Sequence, residues 1–353
     1  RKKNLSSDQV ITKKERQRKG LVDITKVGQK EYLDVNVVED KVGNLRILGV
    51  NISHNPSICL YEDGVIEEFY SEERFIFKKN IELDENFEIF QSIEEKIKDK
   101  IDLVCYASYG RNKAYLKFSD QQIINKIQRQ LNFPHYYFDE REHHLYHAIS
   151  AYYFSPFDEA VAIVVDGGGS SKYHIPYEEI ESIYFINDQV IIPKFKHSTN
   201  NRTDPFSSNK STFDTYKFND GYLNRYSNTL VGGALFRETC KQVGFKDGHD
   251  AGKVMGLASY AHSKQEYNIN MKHVNLAAHA QEKSFEDTCL LIDRAKKDSN
   301  NILLSGGYFL NCSNNFKYVK KYPELNFFVD PIPHDPGTAI GAAIYYDNYK
   351  RRV

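Results

Sequence analysis

Tryptophan is absent from these 353 residues, and so is any excess of charge: 47 Lys and Arg stand against 48 Asp and Glu, a formal net charge of -1. A chain this close to neutral carries no broad field for nucleic acid or an anionic membrane. No apolar run reaches about 18 residues, so no transmembrane helix and no membrane partner are expected. The first residues, Arg1-Lys2-Lys3-Asn4, lead into polar sequence without an apolar core, which does not fit a secretory signal. Cysteine is sparse. Cys59, Cys105, Cys240, Cys289 and Cys312 show no paired-ligand spacing. Free thiols in a reducing, cytoplasmic setting are the expectation, and nucleic acid is not an expected partner.

What is present suits a large globular body, with 41% hydrophobic residues. Residues 1–44 are charged and poor in aromatics, and Lys13 to Lys19 is mostly basic; a flexible arm is expected there. Ile47 to Ile52 reads as a buried strand. Asp63-Gly64 between two strand-like runs reads as a hairpin, and Ile101 to Tyr106 as a further strand. Residues 91–100 and 119–131 look helical, and His135 to Phe138 looks like a short strand. The pattern then restarts at Glu159 to Asp166, with a second hairpin-like turn at Ile186 to Gln189. Each half therefore opens with strand, loop, strand, turn, strand, which points to a duplicated α/β fold with a cleft between two lobes. The expected divisions are 45–157 and 158–353. Residues 197–222 show no period and read as a polar insertion, a surface loop or lid.

The most informative residues are His143 and His147. On a helix, positions i and i+4 share one face, so two imidazoles can meet one metal ion, with a carboxylate from elsewhere completing the set. Asp335, in His334-Asp335-Pro336-Gly337, ends a strand loop and opens a helix; it reads equally as a cap or as that third ligand. Asp166 ends a strand and precedes Gly167-Gly168-Gly169. Glycines there let a backbone approach a phosphate, and the carboxylate can hold a cation or orient a hydroxyl; a tight turn is the even alternative. Gly306-Gly307, running on to Asn311, forms a second glycine pair before a helix, suited to an anion or nucleotide. Asp250-Ala251-Gly252-Lys253 offers a carboxylate, a close approach and a cation for ribose and phosphate, or an ordinary helix start capped by Asp250.

Seven collinear segments between about residues 46 and 346 resemble the O-carbamoyltransferase family of nodulation and antibiotic-tailoring enzymes (NodU/CmcH/TobZ type). They are Ser53 to Ser57; Ser71 to Arg74; His143 to Ala160; Asp166-Gly167; Gly252 to Ala258; Ser305-Gly306-Gly307 through Cys312; and Asp335 with Gly337 to Ala343. The resemblance implies an actin/sugar-kinase-like (ASKHA) fold of two similar lobes with a nucleotide in the cleft. It also implies kinship with the threonylcarbamoyl-tRNA synthase subunit (TsaD type). By position, His143, His147 and Asp335 would bind iron or a similar divalent metal, zinc or manganese included. Asp166, Gly167, Gly168, Asp250, Gly252, Lys253, Gly306, Gly307 and Asn311 would surround ATP or carbamoyladenylate, and His54 would serve the reaction centre with Asp166. The implied activity is metal-dependent transfer of a carbamoyl group from carbamoyladenylate to a hydroxyl of a small molecule, sugar or nucleotide. Two alternatives are a threonylcarbamoyladenosine synthase-like enzyme and a catalytically reduced nucleotide-binding component of a larger assembly.

Two departures from the family pattern stand out. Ser53 and Asn55 flank His54 where the family has Gly-His-Asp. The usual Arg-x-x-His after Glu-Glu-Arg-Phe is replaced by Phe77, Lys78, Lys79 and Asn80, so the acceptor is not carried over. The resemblance also stops before the YrdC-like domain that makes the adenylate in the family. A separate YrdC-like protein, a portion outside these residues, or a changed activity are the three expectations that follow.

Overall fold

The structure, a computed structural model, describes residues 45–77, 101–109, 119–133, 135–139, 141–170, 178–199, 213–246, 250–262 and 270–351. The basic arm, the helix expected at 91–100 and residues 200–212 of the polar insertion lie outside the described residues.

Two sheets repeat one plan. In the first, β1 (Arg46–Asn51) runs antiparallel to β2 (Ser57–Glu62), which runs antiparallel to β3 (Val65–Ser71); β4 (Leu103–Ala107) and β5 (Tyr136–Phe138) follow parallel on the other side of β1. The order is β3-β2-β1-β4-β5. In the second, β6 (Glu159–Val165) takes the place of β1. β7 (Glu178–Asn187) and β8 (Ile191–Thr199) follow antiparallel, and β11 (Asn301–Ser305) and β12 (Asn326–Val329) follow parallel. The order β12-β11-β6-β7-β8 is the same five-strand plan, extended past β8 by β10 (Tyr222–Ser227) and β9 (Asp214–Asn219). This is the duplicated α/β fold that the repeat of strands and turns implies, in the actin/sugar-kinase-like form that the resemblance implies.

The extension corrects the reading of 197–222 as an aperiodic loop. Residues 197–199 finish β8, and β9 and β10 form a hairpin. Its turn is Asp220-Gly221, both at positive φ (57° and 83°), the primed geometry that favours Asp-Gly. The polar composition of the segment masked a turn of the same type as Asp63-Gly64.

Along β6 the side chains alternate. Val161, Ile163 and Val165 join a core with Phe236, Tyr308 and Ile292, while Ala160, Ala162 and Val164 face a second core shared by both sheets. That second core is built on two helices, α3 (His143–Phe154) and α8 (Gly337–Tyr345). Interleaved with the strands of the first sheet are the short α1 (Glu72–Ile76), after β3, and α2 (Asp120–Leu131), between β4 and β5; the latter is opened by a capping box, Ser119 with Gln122. The remaining helices are α4 (Gly232–Gln242), α5 (Ala251–Ala258), α6 (Met271–Ala295) and α7 (Cys312–Lys321). The final helix, α8, stops at Tyr345 and a π turn, Tyr346–Lys350, follows.

α3 packs on β6, β7 and β11 of the second sheet, and α8 on β1, β2 and β4 of the first. The helices cross between the sheets at backbone distance. A Cβ on Gly341 would lie 2.0 Å from the Tyr146 carbonyl oxygen, and one on Gly49 would lie 2.0 Å from that of Ala339. Small residues (Ala148, Ala151, Ala339, Ala342, Ala343) line the rest of the contact. Every α3 residue from His143 to Tyr152 is buried. Its histidines are therefore interior groups, and this placement decides what they can do. No helix among the described residues is long and apolar enough to cross a membrane.

Gly341→Ala should force α3 and α8 apart and destabilise the protein by about 2 kcal/mol or more. Gly256→Ala on α5, where a Cβ meets nothing within 4 Å, should be neutral or stabilising by about 0.5–1 kcal/mol. Denaturant unfolding of both variants checks this; equal midpoints would contradict the close helix crossing.

Candidate metal centre

His143 and His147 stand one turn apart at the start of α3, with ring centroids 4.8 Å apart and planes at 86°. Asp166 follows the last residue of β6, and Asp335 stands two residues before α8. His143 Nε2 lies 3.4 Å from Asp166 Oδ2 and 3.9 Å from Asp335 Oδ1, and His147 Nε2 is also 3.9 Å from Asp335 Oδ1. One ligand atom from each of the four falls within 4.8 Å of the others, and all four residues are buried. Two ligands held about 2.1 Å from one ion are about 3–4 Å apart, so these separations match a shared cation. The sequence placed His143, His147 and Asp335 in one set; the fold adds Asp166 to it.

Both ring nitrogens of His147, and Nδ1 of His143, are buried without a hydrogen-bond partner. Leaving such groups unsatisfied is costly, and an ion among the four residues would satisfy one nitrogen of each ring. Burial pushes His147 down to about 3, so the imidazole is neutral and its lone pair is available to a metal. Burial also works against charge on His143, but the hydrogen bond to Asp166 and the charge of Asp335 prevail and raise it. Burial alone would raise Asp166 and Asp335. The His143 bond and the neighbouring histidines hold Asp166 below the usual carboxylate range, and His54 does the same for Asp335. Two ionised carboxylates beside a neutral imidazole suit a divalent cation with nitrogen and oxygen preferences, such as iron, zinc or manganese.

Asp335 is not a helix cap. Its backbone oxygen accepts from Thr338 N (2.9 Å) and Thr338 Oγ1 (2.6 Å), which frees the carboxylate for the site. That carboxylate accepts from Ser53 Oγ (2.9 Å) and from His54 Nδ1 (3.0 Å) through the same oxygen, Oδ2. His54 is one-third exposed and meets Tyr109 edge-on at 6.0 Å.

Backbone turns converge on Asp166. Gly307 N donates to its Oδ1 (3.0 Å). Gly306 sits at φ +94° with its Cα against the Val165 backbone, where a Cβ would be 2.2 Å from the carbonyl oxygen. Gly233, at the start of α4, is as tight: its Cβ would be 2.6 Å from the Asp166 carbonyl carbon. Gly232-Gly233 was not among the residues singled out from sequence, although a Gly-Gly pair ahead of a helix is a recognisable signal. On the far side of Gly167-Gly168-Gly169 lies His144. Its Nδ1 bonds Ser182 Oγ (2.9 Å), which in turn donates to Glu179, and Lys196 Nζ pairs with Glu179 at 3.2 Å.

The structure does not bring the remaining sequence-derived candidates into this group. Asp250 pairs with Lys253 (2.6 Å) on the first turn of α5, Lys253 is more than half exposed, and a Cβ on Gly252 would meet nothing within 4 Å. Asn311 is buried as the N-cap of α7: its Oδ1 accepts from Asn314 N, and its amide exchanges bonds with Gln281.

The sequence profile of the family described as "Carbamoyltransferase N-terminus" matches residues 74–287 and 278–344. An uncharacterized protein of Methanocaldococcus jannaschii is 24% identical over 341 residues, spanning 84% of this chain and 56% of that protein. A second from the same organism is 25% identical over 245 residues, 58% of this chain and 36% of its own length. Among solved structures, full-length HypF in a phosphate- and nucleotide-bound form superposes with a TM-score of 0.53 at 14% identity, covering 86% of this chain and 55% of HypF. HypF of T. kodakarensis gives 0.53 at 12% identity, covering 87% and 48%. At these identities the likeness is one of fold, and the chain spans about half the length of the relatives it matches.

His147→Ala should remove the bound metal and leave the fold intact, because His147 makes no hydrogen bond through its ring. Elemental analysis of wild type should find about one iron or zinc per chain, and of the variant almost none. Unchanged metal content would contradict the site.

Proposed function

Because the chain belongs to the carbamoyltransferase N-terminus family, we propose that it forms the group-transfer portion of a carbamoyltransferase, passing a carbamoyl group from carbamoyladenylate to a hydroxyl. The observation that carries this reading is the buried His143, His147, Asp166, Asp335 cluster, with its partnerless imidazole nitrogens, beside glycine turns. The four side chains would hold a divalent metal, which when bound supplies a Lewis acid for the carbamoyl carbonyl.

The other roles fall to the chain itself. Backbone N–H groups of Gly167-Gly168 and Gly306, with the N-terminus of α4, would receive the adenylate phosphate, while the Gly307 N–H is given to Asp166. His54, tethered through Nδ1 to Asp335 and partly exposed, would take the proton of the attacking hydroxyl at Nε2. As the new carbon–oxygen bond forms, the carbamoyl–phosphate bond breaks and its electron pair leaves with AMP. Asp335 orients His54 with one oxygen and serves the metal with the other, so it couples proton removal to carbonyl activation. The adenylate itself would come from ATP and carbamoyl phosphate through a YrdC-like activity, on a separate protein or elsewhere in the same one.

Metal-loaded protein supplied with carbamoyladenylate and a panel of sugars, nucleosides and small alcohols should release AMP and give a carbamoylated product by mass spectrometry. Asp335→Asn should lower transfer about 100-fold or more while nucleotide affinity changes little. A variant that loses nucleotide affinity alone would assign Asp335 to structure, and nucleotide binding with no transfer to any acceptor would favour a non-catalytic component. Residues 1–353 alone, given ATP and carbamoyl phosphate, should form no carbamoyladenylate; an AMP-linked product would show that no further domain is needed.

A further inference from the structure

Asp335 uses its two oxygens differently. Oδ1 is equidistant, at 3.9 Å, from Nε2 of His143 and of His147. Oδ2 faces away and accepts from two consecutive residues of the β1–β2 loop, Ser53 Oγ at 2.9 Å and His54 Nδ1 at 3.0 Å. A carboxylate rotates about its Cβ–Cγ bond unless something stops it, and a single bond from a partly exposed imidazole is a weak stop. The Ser53 hydroxyl is buried, and so is Asn51 behind it. Asn51 Oδ1 accepts from Ser53 N (2.9 Å) and lies 2.6 Å from Ser53 Oγ. Its Nδ2 donates to the carbonyls of His54 (3.3 Å) and Asn55 (3.1 Å), which fixes the orientation of the amide. The single hydroxyl proton therefore has three acceptors in reach, Asn51 Oδ1, Asp335 Oδ2 and, at 3.3 Å, the His54 carbonyl, and Asp335, as a carboxylate, is the strongest of them.

We propose that Ser53 is a positioning residue that makes Asp335 a one-oxygen metal ligand by holding its other oxygen in the β1–β2 loop. The inference rests on reading the four-residue cluster as a metal site. It gives a role to one of the two neighbours of His54 that depart from the family pattern. The first residue of β2 ties the same region to the start of α8 a second time, by Ser57 Oγ donating to the Pro336 carbonyl (2.8 Å). With Ser53 in place, Oδ2 stays with His54, and proton removal and metal binding occupy opposite edges of one carboxylate. Without it, Asp335 is free to turn and offer both oxygens to the metal, which loosens the His54 tether and raises the coordination number.

Titration of the metal-free protein with Co²⁺ tests this with no turnover required. Ser53→Ala should bind about 10–100-fold more weakly, the usual loss for an outer-shell partner. Its visible d–d bands should also weaken, as coordination rises when Asp335 turns to two oxygens. Ser53→Thr, which keeps the hydroxyl, should match wild type in both readouts. Ser53→Cys, close in volume but a poor donor, should repeat the loss should Ala disturb the buried loop. If Ser53→Ala binds Co²⁺ as wild type does, or binds weakly with unchanged bands, the role of Ser53 is overturned while the metal site stands. If wild type binds no Co²⁺, both readings fall.

Discussion

The close crossing of α3 and α8 is the constraint on which the rest depends. Neither sheet completes its own inner layer: α3 lies on the second sheet and α8 on the first, and the two helices touch at backbone distance because Gly341 has no side chain. Burial between sheets turns a histidine-bearing helix, which on a surface would be unremarkable chemically, into an interior element. Imidazoles there must be neutral, bonded or bound to something. The same crossing brings the start of α3 against the ends of β6 and of the loop before α8, and so assembles a site from three stretches of chain.

The site divides its charge in an ordered way. Asp166 is held by the Gly307 amide and faces His143, whereas Asp335 is held by Ser53 and His54 and faces both histidines. Each carboxylate thus has one oxygen anchored to the protein and one turned toward His143 Nε2. This is a pre-set arrangement: the anchors reduce the freedom that a bound cation would otherwise have to remove. His144, next in chain to His143, looks the other way, into the Ser182, Glu179, Lys196 network, and its ring occupies the space beside Gly169 where a Cβ would come within 2.7 Å. One helical turn therefore supports both the metal site and the glycine loop.

Much of this was legible in the chain. Short apolar strand runs, the Asp63-Gly64 turn and the i, i+4 histidines are local signals, and the restart of the strand pattern in the second half follows from them. Asp335 and Asp166 were legible as carboxylates at strand ends, but their meeting with the histidines is a tertiary contact, across 23 residues between His143 and Asp166 and far more for Asp335, which no local pattern encodes. Ser53 was legible only as a departure from a family pattern; its function lies in a bond to a residue 282 positions away. The hairpin of β9 and β10 was hidden by polar composition, because an edge extension of a sheet needs little apolar sequence. A side chain at a helix start looks alike in sequence whether it caps the helix, as Asn311 does, pairs with its neighbour, as Asp250 does, or meets a ligand.

The central claim is that one cation sits among His143, His147, Asp166 and Asp335, and anomalous diffraction tests it most directly. Crystals of the protein loaded with iron or zinc, measured on either side of the metal's absorption edge, should show a single strong peak about 2.0–2.3 Å from Nε2 of both histidines and from one oxygen of each aspartate. A peak elsewhere, or none at that position in metal-loaded crystals, would contradict the account.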